Sequence, residues 1–109
     1  MKSYNIKQDM PSVTLAKDRL IAIIRYEKER IIKIVHGYGS TGQGGEIKVM
    51  VHQLLNDYIE SHKIKAYIPG EAFGHLLGYD QIIKDHLSLL KQDPDYKIPN
   101  EGITYIILK

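Results

Sequence analysis

The chain has 109 residues, a formal net charge of +2, 43% hydrophobic and 26% charged residues and no cysteine, a length that suits one domain with a real core and not two. The missing thiols exclude a disulfide framework and a thiolate metal site and fit a reducing compartment, while so small a charge cannot argue nucleic-acid binding unless basic groups cluster locally. No apolar run approaches the roughly 20 residues of a membrane span, and the Met-Lys-Ser start has no signal-peptide core behind it, so a cytoplasmic protein with no membrane association is expected.

Tyr4 to Lys7 alternates weakly and predicts a short first strand, followed by a loop through Met10 and Pro11 to Ser12, the expected N-cap of a helix. Val13, Ala16, Leu20, Ile23 and Ile24 then recur at helical spacing, with Lys17, Asp18, Arg25, Glu27 and Lys28 opposite them, which predicts a helix to about Lys28. Ile31 to Val35 is β-branched apart from Lys33 and reads as a buried strand covered on both faces. Strand, helix and strand make a βαβ unit, with the two strands parallel and adjacent. From Ile47 the period is helical again: Met50, Val51, Leu54, Leu55, Tyr58 and Ile59 share its stripe, to about His62.

A third strand is predicted over Lys63 to Ile68, broken by Pro69-Gly70, with Phe73 continuing its apolar face. Asp80 reads as the cap of a third helix carrying Ile82, Ile83, His86, Leu87 and Leu90, which ends before Asp93-Pro94-Asp95. Gly102 to Leu108 closes the chain as a last strand, antiparallel to its neighbour. The expected order is β-α-β-α-β-α-β in a single domain over 1–109, with 74–99 as a helical insertion. Its apolar stripe packs on its own domain or offers Leu76, Leu77 and Tyr79 to a protein partner.

Between the second strand and second helix runs His36-Gly37-Tyr38-Gly39-Ser40-Thr41-Gly42-Gln43-Gly44-Gly45. A strand end, five glycines and a helix start leave backbone N–H groups and a positive helix end facing outward, which favours a phosphate or another anion. The letters satisfy the G-x-G-x-x-G dinucleotide pattern. Against that stand the short chain, a third strand that ends in Pro69-Gly70 without a ribose-binding acid, and His36 at the strand exit. A P-loop fails because no Gly-Lys-Ser/Thr ends the loop and Lys48 sits inside the helix. A simple connection with nothing bound stays open beside the phosphate reading.

Taken whole, His36-Gly37-Tyr38-Gly39 at the end of an Ile/Val strand, then Gly42, Ile47 and Lys48, resembles the H-G-x-G-x-G-x-L-R hallmark of the Smr (small MutS-related) family across a longer loop. The closing Gly-Ile-Thr-Tyr-Ile-Ile-Leu is similar to the family's glycine-led last strand. The resemblance implies a mixed sheet of about four strands in a two-layer sandwich with two helices on it, related to the C-terminal domain of translation initiation factor three. It implies DNA or RNA binding too, with nicking or cleavage in several members. The family's second motif, L-D-x-H-G, aligns with Tyr4, Asn5, Ile6, Lys7 and Gln8. Asparagine cannot ionise, and a protonated lysine cannot accept a proton. Weak or absent endonuclease activity is therefore expected, with an active nuclease as the alternative and Asp9 as a substitute base if the strand slips in register.

The candidate nucleic-acid contacts are His36, Gly37, Tyr38, Gly39, Ser40, Thr41, Gly42, Gly44, Gly45 and Lys48. His36, its imidazole exposed at the strand exit, is also the candidate catalytic group, set against a histidine that merely caps local backbone. Tyr38 suits stacking on a base as well as plain solvation, and Ser40 and Thr41 suit hydroxyl donation to a phosphate rather than nucleophilic attack. Lys48 is a stronger phosphate candidate than Lys33, because surface lysines commonly serve solubility. His52, His62, His75 and His86 lack the spacing of a metal site. A monomer without cofactor or metal, bound to nucleic acid with low sequence specificity, completes the expectation; the rival is a protein-interaction module using the third helix.

Overall fold

The strand Ile31–Val35 (β2) lies inside a sheet and is buried over its first four residues, as its β-branched run predicts. The computed structural model describes residues 1–37, 43–75 and 78–108. Lys2–Asn5 (β1) pairs with β2 in parallel, Ile103–Ile107 (β4) pairs with its other side antiparallel, and Ala66–Pro69 (β3) pairs antiparallel with the far side of β4. The sheet order is β1-β2-β4-β3. The carboxyl ends of β1, β2 and β3 therefore share one edge with the amino end of β4. Pro69, which has no N–H for a ladder, is the last residue of an edge strand, where it is tolerated.

Alternation assigns the two faces. Ile32, Ile34, Tyr67 and Ile106 face the helices Val13–Tyr26 (α1) and Gln43–Glu60 (α2), in a cluster with Ala16, Leu20, Ile47, Val51 and Leu55. Ser12 caps α1 as expected, its Oγ accepting from Leu15 N at 3.1 Å. The predicted stripe of α2 is the buried one, from Ile47 through Leu55. Ile31, Ile68, Ile103, Tyr105 and Ile107 face the other way and pack with Ala72, Ile83 and Leu90 of the segment between β3 and β4. The insertion thus packs on its own sheet and adds a third layer to the two expected.

Several boundaries differ from the sequence expectation for local reasons. β1 ends at Asn5 rather than Lys7 because the Asn5 Oδ1 accepts Lys7 N at 3.0 Å, closing a turn. α1 stops at Tyr26, and the Glu27 carboxylate accepts the Lys28 and Glu29 amides and the Tyr4 hydroxyl. α2 begins at Gln43, ahead of its first apolar residue, and closes at Glu60. His62 there adopts φ 61° while Lys63 N reaches Tyr58 O at 2.8 Å, the pattern of a left-handed helix stop. That turn uses Lys63 to Lys65, so β3 starts at Ala66.

The expected third helix is instead two short ones, Asp80–Asp85 (α4) and Leu87–Leu90 (α5), and a further short helix, Ala72–His75 (α3), precedes them. Asp80 is the first helical residue of α4 rather than its cap, and Phe73 lies in α3 rather than on a strand. The break falls at His86, whose backbone leaves helical geometry while its Nδ1 donates to Ile82 O at 2.9 Å. Among the described residues no helix is long and apolar enough to cross a membrane.

Candidate anion-binding edge

The carboxyl edge of a sheet with parallel strands is where strand ends, turns and helix starts bring polar groups together. His36 follows β2 and continues the alternation of Ile32 and Ile34, so its ring turns inward toward α2. It is fully buried, not exposed as the strand-exit reading expects. Its Nδ1 donates to Gly37 O at 2.6 Å and its Nε2 meets Thr104 Oγ1 at 2.8 Å. Burial pushes the imidazole down to about 4, with the charges of His52 and Lys48 acting in the same direction. A group so placed is neutral at physiological pH and has both nitrogens engaged.

Thr104, fully buried on β4, also meets His52 Nε2 at 3.1 Å. The His52 ring stacks on Tyr67 with centroids 5.2 Å apart and meets the His36 ring edge-on at 5.9 Å. His52 lies one helical turn beyond Lys48, on the same side of α2. Burial, followed by the Lys48 charge, lowers its proton affinity as well.

Lys48 is partly buried, and its ammonium pairs with Glu71 Oε2 at 2.5 Å. Burial, the largest single influence, would raise the Glu71 carboxyl, but the hydrogen bond from Lys48, a backbone hydrogen bond and the nearby charges of Lys48 and His52 together outweigh it and hold the group below the usual range. The other carboxylate oxygen, Oε1, is buried with no hydrogen-bond partner among the described residues. Glu71 follows Gly70, where a Cβ would stand 2.1 Å from Asn100 O and 2.6 Å from Ile103 Cγ1, so only glycine lets the chain pass so close to the β4 entry. Gly70 N donates to Ile103 O and Asn100 N returns to Gly70 O, fixing this corner.

Gly37 has φ +76°, a left-handed conformation that suits glycine. Its N–H and that of His36 both donate to Gly102 O, at 3.0 and 2.9 Å. The Lys7 side chain crosses over it: a Cβ on Gly37 would lie 3.2 Å from Lys7 Cδ and 3.8 Å from Nζ. The turn carrying Lys7 is held by Arg19, whose Nη1 donates to Ile6 O and Gln8 O at 3.2 and 2.8 Å.

Of the candidates, the structure brings His36, Gly37 and Lys48 to this edge and places Gly44 and Gly45 in the first turn of α2. Tyr38, Gly39, Ser40, Thr41 and Gly42 lie outside the described residues, as do Leu76 and Leu77. Asp9 sits exposed at φ 65° in the turn beyond β1, whose register with β2 ends at Asn5 paired with Val35. Lys33 is not a surface lysine: it is buried against Asp93 and Asp95 on the opposite face. Tyr79 is half-buried against the second core cluster.

Sequence reasoning missed His52, Thr104 and Glu71 and gave Lys7 no binding role. Thr104 could have been found as the polar residue sharing a strand face with Ile106 and Leu108, and His52 as the fourth residue after Lys48. Nothing local marks Glu71. Among the described residues no group of three or more His, Asp or Glu side chains is placed to hold a metal. Compared with protein-family models, curated proteins and solved structures, the chain finds no match in any of the three.

Proposed function

We propose that this chain is an Smr-like domain that binds the sugar-phosphate backbone of DNA or RNA at the carboxyl edge of its sheet, with low sequence specificity and weak or absent cleavage. The observation that carries the reading is the presence of two lysines, Lys7 and Lys48, at that edge. Lys7 lies over Gly37, just after β2, and Lys48 stands in the early turns of α2. Lysine ammoniums and a helix start attract phosphate by charge and by N–H donors and read no base edge, so affinity is expected without sequence preference. The H-G-x-G string at the end of β2 and the two long helices on one face of a four-stranded mixed sheet support the Smr-like part of the proposal. A cysteine-free chain suits a cytoplasmic setting.

An incoming phosphate takes the place of the Glu71 carboxylate on Lys48. Cleavage is weak or absent because the groups at the two positions that the resemblance links to cleavage are not free to act as a base. His36 is neutral, but both its nitrogens are committed, and the Asn5 amide serves its turn. A protein-interaction role through the insertion has less to work with, since Ile83 and Leu90 are buried against the sheet. The test is fluorescence anisotropy with a labelled single strand and a labelled duplex at low and moderate salt. Binding that weakens as salt rises is expected for at least one of them; no binding to either at low salt overturns the reading.

A further inference from the structure

We propose that His52 is the titrating anion contact of this edge, and that a nucleic-acid phosphate binds Lys48 and His52 together with uptake of one proton by the His52 imidazole. This rests on the phosphate-binding reading above and adds to it the residue that makes the contact pH-dependent.

The hydrogen-bond chain fixes the direction of every proton in it. Gly37 O can only accept, so the His36 Nδ1 at 2.6 Å carries a hydrogen. In the neutral ring Nε2 is then bare, and the Thr104 hydroxyl must donate to it across 2.8 Å. Thr104 has a single hydrogen, now spent, so at its 3.1 Å contact with His52 it accepts, and His52 Nε2 carries the hydrogen. The bare nitrogen of neutral His52 is therefore Nδ1, which has no hydrogen-bond partner among the described residues.

The two imidazoles consequently differ in what a proton can do. Protonating His36 at Nε2 would set an N–H against the Thr104 O–H and force Thr104 to turn on the His52 N–H, in a fully buried pocket. Protonating His52 at Nδ1 leaves every bond of the chain intact. It converts a bare acceptor into a charged donor one helical turn from Lys48, so two cations on one side of α2 address one anion.

The groups around His52 set the balance. Lys48 on its own helix opposes a second positive charge and Glu71 after β3 favours it, while the neutral His36 ring, Tyr67 of β3 and Thr104 of β4 wall in the imidazole. A phosphate hydrogen-bonded at Nδ1 favours the charged form. By linkage, a ligand that prefers protonated His52 must raise its proton affinity, and affinity for that ligand must rise as pH falls until His52 is already protonated without it. Glu71, held below the usual carboxylate range, stays ionised throughout this window.

The experiment is anisotropy titration of the full chain with a labelled oligouridylate and a labelled oligothymidylate at fixed salt, at about pH 7.5 and about pH 5.5. Wild type is expected to bind at least about tenfold tighter at the lower pH, since uptake of one proton is worth up to about tenfold per pH unit over the part of this two-unit interval in which only the bound form is protonated. His52→Gln keeps a donor for Thr104, and it should fold, bind and lose that gain, whereas His62→Gln should keep it. Long-range 15N–1H spectra of the unbound wild type should place His36 in the Nδ1–H form at both pH values and His52 in the Nε2–H form at the higher one, with His52 titrating. Wild type that binds without a pH gain, a gain that persists in His52→Gln, or a titrating His36 overturns this inference and leaves the phosphate reading standing. Wild type that binds neither probe overturns both.

Discussion

Lys33 and Asp93 meet inside the protein, Nζ 3.0 Å from Oδ1, although 60 residues separate them along the chain. Lys33 stands on the second face of β2, where alternation puts it beside Tyr105 of β4, and the Tyr105 hydroxyl donates to Asp93 Oδ2 at 2.7 Å. Asp95 adds a second carboxylate to the same ammonium at 2.6 Å. The network fastens the insertion to the sheet. Removing one member leaves a buried charge behind, which costs about 3–5 kcal/mol. Asp93→Ala should lose stability of that order in urea unfolding, Asp95→Ala much less because Asp95 is partly exposed, and Lys33→Met with Asp93→Leu should recover most of it. An Asp93→Ala protein as stable as wild type contradicts this account of the insertion.

His36 makes stability depend on pH in a stated direction. Its folded proton affinity lies below the unfolded one, about 4 against 6.5, because burial penalises the charged ring. The unfolded chain therefore binds more protons between those values, so the contribution is complete above 6.5 and drains as pH falls toward 4. Its full size is about 3 kcal/mol. Denaturant titrations across that range should give a falling stability in wild type and a flatter one in His36→Gln, itself less stable at neutral pH. Equal slopes in the two proteins would assign the pH dependence elsewhere.

If the edge binds phosphate as proposed, Glu71 competes with the ligand for Lys48. Its Oε2 holds Lys48 while its Oε1 has no hydrogen-bond partner among the described residues, so an external phosphate competes with a contact through one carboxylate oxygen. Glu71→Gln should tighten oligonucleotide binding about fivefold, the worth of a partly exposed ion pair of about 1 kcal/mol. Folding stability should change by less than that. Weaker binding would mean that Glu71 assists the ligand rather than excluding it.

Cleavage should be absent or slow. Supercoiled plasmid and single-stranded RNA, incubated with and without divalent metal, are expected to stay intact with wild type. Metal-dependent cleavage that disappears in His36→Ala or Asp9→Ala would make this an active nuclease and reverse the reading of the edge. Cleavage that survives both changes points to a contaminant.

What was legible in the sequence was what local periodicity controls. Ile31–Val35, the Ser12 cap and the α2 stripe follow from β-branching, a hydroxyl before an apolar period, and 3.6-residue spacing. The burial of His36 was legible in principle, since positions 32, 34 and 36 share one face of the strand. The third helix was not, because it breaks where the His86 side chain takes the Ile82 carbonyl, a choice no apolar period records. Nor was Lys33: its partners lie across the insertion, and only the fold brings them to it. The Lys7 position over Gly37 depends on the parallel register of β1 and β2, which pairs Asn5 with Val35 and so sets the two strand exits side by side.

The most direct test of the central claim is the salt dependence of binding in wild type and in Lys7→Glu with Lys48→Glu. Anisotropy would be read from about 50 to about 200 mM salt, where each phosphate neutralised contributes about −0.7 to −0.9 to the slope of log affinity against log salt. Wild type should have a clear negative slope, and the double variant, still folded by circular dichroism, should bind more weakly and lose about two phosphates' worth of that slope. A double variant with wild-type affinity and slope would contradict phosphate binding at this edge.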